Sequence, residues 1–260
     1  MNKLISNNFI RKLRNLFLFK PTPYYFPQDN FQNISDFFFW INRDNFRTKF
    51  QLINLSSNIN PNNPITETVR IWVYNSDGQK IDEKSLSINP FELKEIKFDD
   101  YEGIGSFFAF HNFFNLDLKQ KKSYAVDRGY VGYKFGDGAW SFIHGNHNAC
   151  ALNCQNFKIQ PLIAKSLRSN IYCPQVSFHD CKNFGVIFNN PLFSKTDFEI
   201  QLFEKNKLVS IHSHSVKSFG TKFINFNVSN ISKINLISKI IFCRPIIFKE
   251  YITYFDIFHG

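Results

Sequence analysis

Two histidines end short segments that answer one another. Trp140-Ser141-Phe142-Ile143-His144-Gly145 and Phe255-Asp256-Ile257-Phe258-His259-Gly260 share one order: aromatic, polar, apolar, apolar, His, Gly. Each His follows an Arg, His144 sixteen residues after Arg128 and His259 fifteen after Arg244. Arg suits bidentate binding of carboxylate or phosphate, and an imidazole can donate, accept or ligate. Arg128, His144, Arg244 and His259 are therefore candidate ligand contacts. The structural reading competes with this. On a strand Trp140, Phe142 and His144 share a face, as do Phe255, Ile257 and His259. That aromatic face is expected to be the core face, so that each His would close the end of a sheet and each Arg would cap carbonyls at the opposite rim.

The stretch from Tyr130 to His147 is the richest local cluster. It holds Tyr130, Tyr133, Trp140, His144, Asn146, His147 and Asn148 around Gly136-Asp137-Gly138. Ring faces cover the apolar faces of a sugar, while amides and imidazoles bind its hydroxyls. The candidate glycan contacts are thus Tyr130, Tyr133, Trp140, His144, Asn146 and His147. Ordinary cross-strand packing of hairpin aromatics is the alternative.

His212-Ser213-His214 places two imidazoles on one face of a strand, as half of a metal site requires. On a duplicated sandwich this resembles the bicupins. The cupin pattern also needs a Glu shortly afterwards and a later His, and 215–220 contains no carboxylate. Metal binding at His212 and His214, with metal-dependent enzyme chemistry, stands as an alternative. No G-x-S-x-G, P-loop, H-E-x-x-H or dinucleotide fingerprint occurs, and no cofactor is expected. Carboxylates are sparse in the expected strands, which weakens a glycosidase reading.

The elements that position these residues read as strands. Val69, Ile71 and Val73 alternate with Arg70, Trp72 and Tyr74, and Asn75-Ser76-Asp77-Gly78 follows as a hairpin turn. Ile81 to Ile88 returns. Ser106 to Phe110, Arg128 to Phe135 and Ala139 to His144 continue the pattern. In the second half Val186 to Phe188, Phe198 to Leu202, Leu208 to Val216, Lys222 to Asn227, Ser238 to Cys243 and Tyr254 to His259 repeat it. The hairpin from Val69 to Ile88 answers that from Phe198 to Val216, and Leu52-Ile53-Asn54 answers Ile187-Phe188-Asn189. An insert near His111 to Asp127 accounts for the greater length of the first half.

These matches predict an all-β chain. It would be two tandem antiparallel β-sandwich domains, immunoglobulin-like or jelly-roll-like, from an internal duplication of a unit of roughly 90–110 residues. The expected boundaries are a basic amphipathic helix with a Pro-containing linker over 1–30, the first sandwich over 31–150, a linker over 151–171 and the second sandwich over 172–260.

Composition bounds the rest. The 260 residues carry 31 Lys and Arg against 21 Asp and Glu, a formal charge of +10. Phe 33, Tyr 10 and Trp 3 make the chain 18% aromatic, which excludes wholesale disorder. No apolar run approaches the roughly 18 residues of a spanning helix. Phe, Ile, Asn and Lys are all in excess, as AT-rich codons would give, so part of the charge carries no functional meaning.

Half of the net charge lies at the start. Lys3, Arg11, Lys12, Arg14 and Lys20 precede the first acidic residue, Asp29. No basic stripe or RNP-like motif follows, so no nucleic-acid partner is expected. At 100° per residue Ile5, Phe9, Leu13, Leu16 and Phe17 cluster opposite Lys3, Asn7, Arg11, Arg14 and Asn15. Pro21 and Pro23 end the pattern. Such a helix, within residues 1–20, suits an anionic membrane surface, a partner or the protein's own body. It is not a signal peptide by pattern, because basic residues interrupt the apolar ones.

The five cysteines, Cys150, Cys154, Cys173, Cys181 and Cys243, form no C-x-x-C pair, which predicts reduced thiols and a cytoplasmic, at most membrane-associated, protein. The function expected is a non-catalytic binding or assembly protein with a glycan or protein ligand.

Overall fold

The structure, a computed structural model, describes residues 8–17, 25, 27, 31, 33–112, 128–153, 155–175, 177–178, 181–227, 230–241, 244–251 and 254–259. Helix α1 (Asn8–Phe17) comes first. Then follow β1 (Asn33–Asn42), β2 (Phe46–Ile53), the short helix α2 (Leu55–Ile59), β3 (Glu67–Asn75), β4 (Lys80–Ile88), β5 (Leu93–Lys97) and β6 (Gly103–His111). Next are β7 (Tyr130–Phe135), β8 (Ser141–His144), β9 (Asn146–Leu152), β10 (Ile159–Pro161) and β11 (Lys165–Tyr172). The chain ends with β12 (Asn183–Asn189), β13 (Thr196–Glu204), β14 (Lys207–Val216), β15 (Thr221–Asn227), β16 (Lys233–Ile240), β17 (Ile246–Glu250) and β18 (Phe255–His259). The expected insert lies mostly outside the described residues.

Four sheets result. Sheet I has the order β10-β9-β1-β6-β3-β4 and sheet II the order β5-β2-β7-β8. Sheet III is β11-β16-β13-β14 and sheet IV is β15-β12-β17-β18. The hairpin expected at Asn75 to Gly78 joins β3 to β4. Asn75 Oδ1 accepts from the Asp77 and Gln79 backbone amides, and Gly78 turns the chain at φ +77°.

The fold is all-β, with 60% strand and 7% helix, but the expectation of two tandem β-sandwich domains is wrong. The four small sheets are arranged as a four-bladed β-propeller. Two tandem sandwiches would hold two separate cores, one in each half of the chain. Here both large apolar clusters draw on both halves. Phe37, Trp72 and Phe108 of sheet I share one cluster with Phe188, Phe198 and Leu236 of sheets III and IV. Phe38, Trp40 and Phe107 share the other with Phe50 and Val131 of sheet II and with Ile187 and Phe248 of sheet IV.

Sheets I and IV are thus covered on both faces, which is why β1 is buried along nine of its ten residues. A duplicated sandwich is not matched by this arrangement. What recurs is the strand order, since β1-β6-β3-β4 and β5-β2-β7-β8 reappear ten strands later in sheets III and IV. The segment 151–171, expected as a linker, carries the end of β9, all of β10 and most of β11.

The aromatic excess goes largely into these clusters. Phe188 and Phe198 stack across sheets IV and III at 4.1 Å and 5°, and Phe37 stacks on Phe108 at 4.7 Å. Such pairs contribute about 0.5–1.5 kcal/mol beyond area burial. The halves also meet through polar contacts at a junction of turns. The Thr221 amide donates to the Ser76 carbonyl at 3.0 Å, and Ser106 Oγ donates to the Phe219 carbonyl at 2.7 Å.

Helix α1 lies against β11 in an orientation its sequence pattern does not suggest. Asn15, from the polar side, is buried, while Phe9, Leu13 and Leu16 are exposed. No described helix is long and apolar enough to cross a membrane.

Candidate functional site

The outer face of sheet II gathers most of the aromatic residues singled out above. In β2 the inward residues are Phe46, Thr48, Phe50 and Leu52, which leaves Arg47, Lys49, Gln51 and Ile53 outward. Register carries this face across the sheet. Lys49 pairs with Gly132 and Gly132 with Phe142, while Gln51 pairs with Tyr130 and Tyr130 with His144. On the other side Glu95 of β5 pairs with Gln51. One outward row is therefore Lys49, Gly132, Phe142, and the next is Glu95, Gln51, Tyr130, His144.

Three rings stand on this face. Tyr130 is 46% exposed, Phe142 is 39% exposed, and Trp140 is half-buried just before β8. Gly132 lets Phe142 lie down on the sheet, since a Cβ there would come within 2.6 Å of the ring. Lys49 Nζ lies 4.5 Å from the Trp140 ring centre and 5.4 Å from that of Phe142. It also forms an ion pair with Glu95 Oε2 at 2.9 Å, and Gln51 Nε2 donates to the same oxygen at 3.0 Å. These two bonds hold the Glu95 carboxyl below its ordinary value. The result is a ring-lined surface with an amide, a carboxylate, an ammonium and an imidazole fixed beside it.

This overturns the expectation that Trp140, Phe142 and His144 face the core. The core row of the same hairpin is Val131, Tyr133 and Ile143. Tyr133, expected as a ligand contact, is fully buried, and its hydroxyl donates to the Phe39 carbonyl at 2.9 Å. Burial pushes its phenol well above the ordinary value. Asn146 is also buried, opposite Phe37 in the register of β9 on β1. The His147 side chain lies outside what is described.

Arg128 is withdrawn into the interior. Its Nη1 meets Asp36 Oδ1 at 2.9 Å, both side chains being buried. Its carbonyl oxygen lies 3.1 Å from His111 Nε2, and His111 Nδ1 lies 3.0 Å from Glu67 Oε2. Glu67 Oε1 in turn accepts from the Ser56 amide. Both ring nitrogens of His111 thus face oxygen atoms. This chain of buried polar groups ties β1, β3, β6 and the entry to β7, and no spacing along the chain points to it.

The two matching histidines do come together. The His144 and His259 rings lie 4.4 Å apart at 33°, where the edge strands β8 and β18 meet. His259 Nε2 contacts the His144 carbonyl, and His144 Nδ1 lies 2.8 Å from the Gly145 carbonyl. Arg244 is half-buried just ahead of β17 and does not repeat the interior role of Arg128.

His212 and His214 share a face of β14, paired with Ile200 and Phe198. The His212 ring meets Phe226 edge-on at 5.0 Å, and His214 lies 5.4 Å from Phe198. Burial, then the charges of Lys222 and His212, hold the His214 imidazole below its ordinary value. Among the described residues no group of three or more His, Cys, Asp or Glu could hold a metal. The pair borders the aromatic core through these two ring contacts. Cys150, Cys173 and Cys181 are free thiols, and Cys154 and Cys243 fall outside the described residues.

The residues that sequence reasoning missed are Lys49, Gln51 and Glu95. The alternation in 46–53 is present in the sequence and would have placed the first two. Nothing there brings β5 and β8 onto the same face.

No protein family matches this chain, and no curated protein matches it either. Two solved structures align with it at low similarity. One is the M60 catalytic domain with the CBM51-1 and CBM51-2 domains from Clostridium perfringens ZmpB. It has 11% identity and a TM-score of 0.21, with 80% of this chain and 32% of that chain covered. The other is a beta-glucuronidase from glycoside hydrolase family 2, at 8% identity and a TM-score of 0.19, with 90% and 24% covered. This chain thus spans a third or less of either structure. Both are carbohydrate-related, but at these scores neither likeness assigns a fold or an activity to this chain.

Proposed function

We propose that this protein is a non-catalytic binding module that takes a glycan on the outer face of sheet II. The observation that carries the reading is the set of outer-face rings, exposed Tyr130 and Phe142 with half-buried Trp140, beside a fixed Lys49–Glu95–Gln51 cluster. The rings offer apolar faces to sugar rings. Gln51, Glu95 and His144 offer acceptors and donors to hydroxyls at the rim. Glu95 is held ionised by its two partners, so it serves as an acceptor and not as an acid. Tyr133, Arg128 and Asn146 act beneath the surface as supports. The test is a panel of immobilised neutral and charged oligosaccharides probed with the full chain and with a Trp140→Ala, Tyr130→Ala double variant. Retention that the double variant loses supports the reading, and equal retention removes it.

We infer a second contact, with an anionic membrane surface, through α1. The helix turns Phe9, Leu13 and Leu16 to solvent and carries exposed Lys12 and Arg14. Apolar residues flanked by cations suit the boundary of an anionic bilayer. Co-sedimentation with vesicles of phosphatidylserine and phosphatidylcholine should be lost when residues 1–20 are deleted. Sedimentation that persists in the deletion variant refutes it.

A further inference from the structure

Sheet III carries a concave surface, remote in the strand order from the aromatic face. It is a cavity of about 430 Å³, within the roughly 300–1,000 Å³ of small-molecule sites. Its lining includes Lys165, Lys195 and Lys239, together with Asp197, Glu199 and the hydroxyls of Ser213 and Ser215. Strand register orders the polar groups. Asp197 pairs with Ser215 and Glu199 with Ser213 across β13 and β14, so two carboxylates and two hydroxyls make a square on one face. Lys165 opens β11, Lys195 precedes β13, and Lys239 follows the Ser238 that pairs with Phe198.

The charges in this cavity are not matched to one another. Ser215 Oγ donates to Asp197, and Gln201 Nε2 donates to Glu199 Oε1 at 2.8 Å, so each carboxylate has a neutral partner. Among the described residues none of the three lysines forms an ion pair. A bare inorganic anion would meet two carboxylates at the floor, and a neutral sugar would leave three ammonium groups unused. A ligand with hydroxyls for Asp197 and Glu199 and an oxyanion for the lysines uses both sets.

We propose that this cavity binds a sugar acid, a polyhydroxylated ring bearing a carboxylate or a sulfate. The hydroxyls donate to Asp197 and Glu199 and exchange bonds with Ser213 and Ser215. The oxyanion lies among Lys165, Lys195 and Lys239. The site is independent of the glycan reading for sheet II, because it shares no residue with that face.

Calorimetric titration of the full chain tests it with four probes: a tetragalacturonate, a sulfated galactose tetramer, neutral galactotetraose and inorganic sulfate. One or both acidic tetramers should bind at least tenfold more tightly than the neutral one, and which of the two binds identifies carboxylate or sulfate as the source. Binding should weaken with added salt. A Lys165→Ala, Lys239→Ala variant should lose at least tenfold, and an Asp197→Asn, Glu199→Gln variant at least fivefold. In a Trp140→Ala, Tyr130→Ala background, which removes the sheet II face, the losses caused by the lysine and carboxylate substitutions should persist, which separates failure here from failure of the sheet II reading. Equal binding of acidic and neutral tetramers, no binding of either acid, lysine variants like wild type, or sulfate alone matching the tetramers would overturn the proposal.

Discussion

Gly132 and Phe142 face one another across β7 and β8, and the Phe142 ring occupies the space a side chain at 132 would take. This contact levels the aromatic face of sheet II. A Gly132→Val substitution should lift the exposed ring without touching the core row of Val131, Tyr133 and Ile143. Glycan affinity is expected to fall about fivefold or more, with a stability loss of about 1 kcal/mol. Calorimetric titration beside a urea melt separates the two effects.

The buried ion pair of Arg128 with Asp36 predicts a large cost for removing one partner. Asp36→Ala should destabilise the protein by about 3–5 kcal/mol, because a guanidinium loses its carboxylate in the interior. Tyr133→Phe, which deletes one hydrogen bond to the Phe39 carbonyl, should cost about 1 kcal/mol. Urea midpoints for both variants check the order. If the two costs were equal, Arg128 would not be held as described.

At the junction of turns, Gly78 combines a left-handed φ of +77° with close approach. A Cβ there would lie 1.8 Å from the Ser218 carbonyl oxygen. Gly78→Ala should cost at least about 2 kcal/mol through strain and backbone displacement. Gly78→Asn tolerates the dihedral but meets the same carbonyl, so it should be no better than Ala. A clear rescue by Asn would leave the turn dihedral as the sole constraint.

His214 makes stability depend on pH. Its folded pKa lies below the ordinary value, so below neutrality the unfolded chain binds more protons than the folded one. Stability contributed by the neutral ring is therefore present above the unfolded value of about 6.5 and is lost as pH falls through it. His214→Phe should flatten the dependence of the unfolding midpoint between about pH 7 and pH 5. An unchanged slope would place the dependence on other groups.

How far the fold was legible depends on what each signal measures. The Asn75 to Gly78 turn was readable because Asn, Asp and Gly act locally. Strand β1 was not, since Phe37, Phe38, Phe39 and Trp40 are buried on both faces and leave no period-two alternation. The arrangement of the sheets escaped for the same reason. Alternation says that a strand has two faces, and not that Phe37 and Phe38 enter clusters shared with the other half of the chain. At the candidate site, placing Phe142 and His144 on one face was right. Which face is buried was misjudged, because Val131 and Ile143 outweigh the rings as core. In α1 the period left membrane, partner and body open as docking surfaces, and it is polar Asn15 that is buried while Phe9, Leu13 and Leu16 are exposed.

The most direct test of the glycan reading uses Trp140 as its own reporter. Trp40 and Trp72 are buried, so acrylamide quenching of the native protein reads Trp140 above the other two. An oligosaccharide retained on the panel should shield that fluorescence on titration, with a midpoint equal to its calorimetric Kd. The shielding should vanish in Trp140→Phe. Retention of no glycan, or binding that leaves Trp140 as open to acrylamide as before, would contradict a glycan site on the outer face of sheet II.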